Sequence, residues 1–174
     1  CSTCIRKPCK NVATMTCGSG ISGSGYEMSS PQNISVIMIE EANYYDSYDF
    51  LNIPESAFWG IDALSPDHLP SPYGKQTGKM QLSSSGDKFV TATYYNGRGL
   101  PSNIITAHVG KRQTEKHTIY SFTDKPIETR INEYDTESGN KVLTVSTVEK
   151  RTYSEVTDNL LSVSITVNGK TETV

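Results

Sequence analysis

Residues 160–169 read LLSVSITVNG, and this short stretch decides the fold. Leu161, Val163, Ile165 and Val167 recur at every second position, with Ser162, Ser164 and Thr166 between them. Successive side chains of an extended chain point to opposite faces, so the four apolar residues share one face and the three hydroxyl residues the other. A helix would scatter both sets around its axis. The β-branched residues favour the pleated conformation. Asn168-Gly169 then supplies the two left-handed positions of a tight hairpin turn, and KTETV (170–174) reads as a brief return strand.

The same pattern extends upstream. Ile127, Thr129 and Ile131 alternate with Glu128, Arg130 and Asn132. The polar turn DTESGNK (135–141) follows, then the β-branched run VLTVSTVEKRTY (142–153) and the turn SEVTDN (154–159). Further back, KFVTATYY (88–95) ends at the turn signal Asn96-Gly97, and NIITAHVG (103–110) and HTIYSFTD (117–124) are two more strands. Seven or eight strands joined by short turns predict a mainly β protein, an antiparallel β-sandwich or small barrel. Parallel winding would need helical crossovers, and no segment between these strands supplies one.

The first half reads differently. Residues 1–33 hold all four cysteines and then GSGISGSG, a Gly/Ser tether. Residues 34–174 form a single β-rich domain, opening with the apolar run ISVIMIE (34–40) as a central strand. Residues 42–78 read as a long, irregular, aromatic and proline-rich loop region, a length usual for functional or partner-bound loops. Within it, IPESAFWGIDAL (53–64) is the one candidate for a short helix, with Pro54 in its first turn.

The chain of 174 residues can bury a core without disulfides. Its net charge of −3 lacks the basic stripe that a nucleic-acid surface needs. No run of about 18 apolar residues is present, so no helical membrane span is expected.

The cysteines are spaced C-x2-C-x4-C-x7-C. Only the first pair has the spacing of a zinc knuckle, so no metal is expected. A thioredoxin-like reading fails because no strand can precede residue 1. Pairing in an oxidising compartment is the simplest reading, with Cys4, Cys9 and Cys17 as disulfide candidates. Cys1 itself, followed by a tether, resembles the N-terminus of a mature bacterial lipoprotein, which is cut just before a cysteine that is then acylated. The resemblance implies a removed signal peptide, a lipid on Cys1 and a place on the outer membrane or cell surface. Acylation of Cys1 would leave three cysteines and an odd thiol, whereas a free Cys1 would allow two bridges. A fragment boundary falling on a cysteine is the alternative. Arg6, Lys7 and Lys10 would add attraction to anionic head groups.

Catalytic motifs are absent or out of context. Gly18 to Gly23 spells G-x-G-x-x-G, but SGYEMSSPQN follows where a helix must start. No G-x-S-x-G nucleophile elbow occurs. Acids between Glu40 and Asp49 lack the EF-hand pattern. Asn33-Ile34-Ser35 fits the glycosylation sequon, a match frequent by chance. For an enzyme, the neighbours Asp62, Asp67 and His68 are the only ones with a claim. No catalytic role and no cofactor are therefore expected.

Binding is the remaining function. Tyr44, Tyr45, Tyr48, Phe50, Phe58 and Trp59 concentrate aromatic area in the loop region. Rings of this kind grip protein partners or stack on sugars, and they also plug the open end of a β-fold. Tyr94, Tyr95 and Arg98 offer a second contact surface, and GKRQTEKH (110–117) a basic turn or strand edge. The sequence is thus expected to encode a non-catalytic accessory subunit that docks on another envelope or outer-membrane protein through residues 42–73, or else a glycan- or small-ligand-binding module.

Overall fold

The computed structural model describes residues 2–3, 13–15, 26–28, 40–52, 56, 59–61, 68–69 and 71–173, the first three segments through their backbone alone. The four cysteines, the run 34–39, Phe58, Asp62 and Asp67 lie outside the described residues, as does most of the short helix expected over 53–64.

Three short strands, β1 (Ser2–Thr3), β2 (Ala13–Met15) and β3 (Tyr26–Met28), pair in that order. All remaining strands belong to one sheet. They are β4 (Glu41–Tyr45), β5 (Gln76–Leu82), β6 (Lys88–Tyr95), β7 (Pro101–His108), β8 (Arg112–Tyr120), β9 (Pro126–Asp135), β10 (Val142–Tyr153), β11 (Leu160–Val167) and β12 (Lys170–Thr173). Each is hydrogen-bonded to its neighbours in sequence, every pairing antiparallel, so the sheet is an unbroken meander with β4 and β12 at its two ends.

The mainly β, antiparallel expectation holds, and the nine strands form one continuous sheet that is not closed into a barrel. Every connection from β5 onward is a short turn to the adjacent strand, which makes the meander, and β4 and β12 do not pair, so it stays open. β4 and β5 also correct the reading of 42–78 as irregular. Ala42 and Tyr44 are buried while Asn43 is only partly so, but five residues among acids give too short an alternation to stand out. A single 3-10 turn, Asp49–Asn52, is the only helical element of more than one residue among the described residues.

The turns at one end of the sheet repeat a common design. Tyr45, Tyr95, Tyr120 and Tyr153 each end a strand just past a register shift, opposite the first residue of the next strand: Gln76, Pro101, Pro126 and Leu160. The residue after each tyrosine is Asp46, Asn96, Ser121 or Ser154, and its side-chain oxygen accepts a backbone N–H of the turn. Gly74, Gly99, Asp124 and Asp158, two residues before each new strand, take positive φ of 71°, 75°, 65° and 61°. Short polar side chains and glycine tolerate this region best.

The core lies on one face of β4–β7. Register places Ala42, Tyr44, Gly78, Met80, Val90, Ala92, Tyr94, Ile105 and Ala107 on that face. The chain after β4 folds back over it and adds Tyr48, Phe50 and Trp59. Phe50 stacks on Tyr44 at 4.4 Å between centroids, and Tyr48 stacks on Tyr94 at 5.1 Å. Burying one such ring is worth about 1.5–3 kcal/mol.

Candidate functional site

The structure separates the aromatic candidates. Tyr44, Tyr48, Phe50 and Trp59 are buried in the core, between 0% and 4% exposed, and so cap the sheet rather than face solvent. Tyr45 is on the surface. Of the second candidate surface, Tyr94 is buried, Tyr95 is half-buried, and Arg98 bonds to the carbonyls of Ser121 and Phe122 and to the Asp124 carboxylate. Arg98 therefore ties the β6–β7 turn to the β8–β9 turn. Lys125 makes the next such tie, to Asp158.

His68 does not approach a carboxylate among the described residues; its ring packs edge-on against Tyr48 and Tyr94 at 5.4 and 5.7 Å. No group of three or more metal-ligating side chains occurs among the described residues. At the opposite end of the sheet, Asp87 accepts from Lys111 Nζ at 2.9 Å and from Ser85 Oγ at 2.9 Å, with His108 Nε2 3.5 Å away. These partners, Lys111 above all, hold its carboxyl down at about 2. The group clamps the β5–β6 turn to the β7–β8 turn, and His108 and Lys111 also border a cavity of about 640 Å³ shared with Arg112, Glu133 and Asp135.

Two features do stand apart. The first is the face of β9–β11 that continues the back of the core sheet. Register aligns Ile131 with Thr147 and Val167, Thr129 with Glu149 and Ile165, and Arg151 with Val163. Ile127, Ile131, Val145, Leu161, Val163, Ile165 and Val167 thus share one face, as the alternation of 161–167 requires. All are exposed or half-exposed, Leu161 at 66% and Val167 at 42%. The Glu149–Arg151 ion pair, at 2.6 Å, lies among them. The opposite face of the same strands is polar, carrying Arg130, Asn132, Ser146, Lys150, Ser162 and Ser164. Among the described residues, no second layer covers this apolar face.

The second is a cavity of about 410 Å³ beside the core, where the start of β8 meets the β9–β10 turn. Trp59, Gly60, Arg112, Gln113, Asn140 and Lys141 are in its wall. Gln113 is 2% exposed; its Nε2 donates to Glu115 Oε1 at 3.0 Å, and its Oε1 has no partner. Lys141 also bonds Glu115 and covers the Tyr134 ring at 4.6 Å. Sequence reading took 110–117 for a basic edge and missed Gln113. The available signal was parity: counting back from β7 through the Gly110 turn puts Gln113 on the face of Ala107 and Ile105.

The fold and these surfaces define an open antiparallel β-meander with a covered apolar face on β4–β7 and, on β9–β11, an apolar face that no described residue covers. No protein-family model, curated protein or solved structure matches this chain.

Proposed function

We propose that this chain is a non-catalytic binding subunit of an envelope-associated protein complex, and that the bare face of β9–β11 is where the partner protein docks. One observation carries the reading: seven aliphatic side chains converge on a sheet face that no described residue covers. Contiguous apolar surface of this kind marks interaction sites on folded proteins. The occupant best suited to it is a partner presenting its own apolar sheet face, which would complete a two-layer packing about 10 Å thick. Buried Tyr44, Tyr48, Phe50 and Trp59 favour this surface over the 42–73 region as the point of contact.

The test is native mass spectrometry of the detergent-extracted protein from its own cells, with wild type and Ile165→Lys compared. Wild type is expected in a stoichiometric complex with β9–β11 protected from hydrogen exchange, and the variant, equally folded, alone. A variant that stays in the complex, or a wild type that runs alone, ends the reading. Intact mass of the same material reports whether Cys1 is acylated.

A further inference from the structure

We propose that the end of the sheet made by the β8–β9 and β10–β11 turns seats itself in the headgroup boundary of a phospholipid bilayer. Phe122 and Val156 lead it. Both are turn residues outside the docking face, so the inference stands apart from the proposed complex.

The turn tips carry the first observation. Phe122 is 98% and Val156 93% exposed. Each lies inside a tight turn, the first closed by Asp124 N–H on the Ser121 carbonyl, the second by Asp158 N–H on that of Ser154. Gly, Asn, Asp and Ser suit such positions. Turns at the opposite end of the sheet obey, with Ser84, Ser85 and Gly86 in one and Asn168 and Gly169 in another. A phenylalanine and a valine held in water serve neither the turn nor the core.

The strand ends beside these turns extend the apolar zone. Ile119, Ile127, Leu160 and Leu161, between 37% and 66% exposed, belong to the adjoining ends of β8, β9 and β11. Register pairs Ile119 with Glu128, which puts Ile119 and Ile127 on opposite faces. The zone thus wraps the tip and both faces. A protein docked on one face would leave the other face wet, whereas a fluid apolar medium entered end-on covers all of it. Ile119 lies two residues behind Ser121, about 7 Å at the rise of a strand. That matches the roughly 5–10 Å to which interfacial segments sink.

Lipid also demands that backbone polar groups be satisfied within the protein. Here the Ser121 and Phe122 carbonyls accept from Arg98, and the Asp158 carbonyl from Lys125. The same cations are ion-paired, Arg98 with Asp124 at 2.5 Å and Lys125 with Asp158 at 2.6 Å, and Glu155 adds a negative charge. Apolar insertion, not attraction to anionic head groups, therefore drives the contact.

The experiment floats the full chain, in unacylated form so that no lipid on Cys1 contributes, with vesicles of phosphatidylcholine alone or mixed with phosphatidylglycerol. Wild type is expected to partition into both equally and without loss in raised salt. Phe122→Ser and Val156→Ser, at exposed positions whose change leaves folding intact, are each expected to weaken partitioning about tenfold. Val142→Ser, 54% exposed at the opposite end of the sheet, is expected to leave it unchanged. No partitioning into phosphatidylcholine, partitioning that requires phosphatidylglycerol, or equal losses in all three variants would each overturn the assignment. So would a wild type that ignores vesicles while Phe122→Ser releases a protein from the native complex, which would give this end to a protein partner.

Discussion

The Tyr120 hydroxyl donates to the carbonyl oxygen of Pro101 across 2.8 Å, reaching from the last residue of β8 to the first of β7. Tyr95 reaches Gln76 in the same way at 2.8 Å, and Tyr153 reaches Pro126 at 3.1 Å. Each tyrosine thereby closes the open end of its own hairpin, where the ladder ends and a turn residue takes over. Burial pushes the Tyr95 and Tyr120 hydroxyls above their usual pKa, so both remain donors throughout the neutral range.

Removing one of these hydroxyls tests the repeat. Tyr120→Phe keeps the ring and loses one hydrogen bond, so a loss of about 1 kcal/mol is expected in urea unfolding. Tyr153→Phe is expected to cost the same or less, because β10 and β11 contribute less buried surface. No change in either variant would show that the bonds are incidental.

Gly78 is expected to tolerate nothing larger. An added Cβ would lie 2.3 Å from Cζ of Phe50, whose ring is fully buried against Tyr44. Gly78→Ala therefore forces the ring or β5 to move, at about 1–3 kcal/mol, read as a lowered thermal midpoint.

The two halves of the sheet are expected to respond differently to truncation. Phe50→Ala opens a cavity in the closed core and is expected to cost about 3–5 kcal/mol. Ile165→Ala removes a side chain already 39% exposed and is expected to cost under about 1 kcal/mol. Hydrogen exchange should agree, with amides of β10–β12 opening at lower free energy than those of β5–β7.

Acid should unclamp the β5–β6 turn. The Asp87 carboxyl titrates at about 2 in the folded chain against 3.8 when free, so it contributes stability above about pH 4 that fades as pH falls toward 2. Asp87→Asn is expected to flatten that part of the acid limb in thermal midpoints taken from pH 5 to pH 2. An unchanged limb would place the sensitivity elsewhere.

What the sequence determined by itself was local. Alternation in 161–167, the β-branched run 142–153 and the Asn168-Gly169 turn placed β10, β11 and β12 on their residues, because strand period and turn chemistry are properties of a few neighbouring residues. β4 escaped because five residues carry too little periodicity, and its partner β5 lies some thirty residues away, beyond the loop that covers the core. The rings of Tyr44, Tyr48, Phe50 and Trp59 could equally have faced a partner or the interior; only packing against Met80, Val90 and Tyr94 chose the interior. The same holds for the apolar row ending at Val167. Its composition requires a cover, but whether that cover is the chain's own second layer or another molecule depends on how far the sheet curls. Long-range closure sets that curl, and here the sheet stays open.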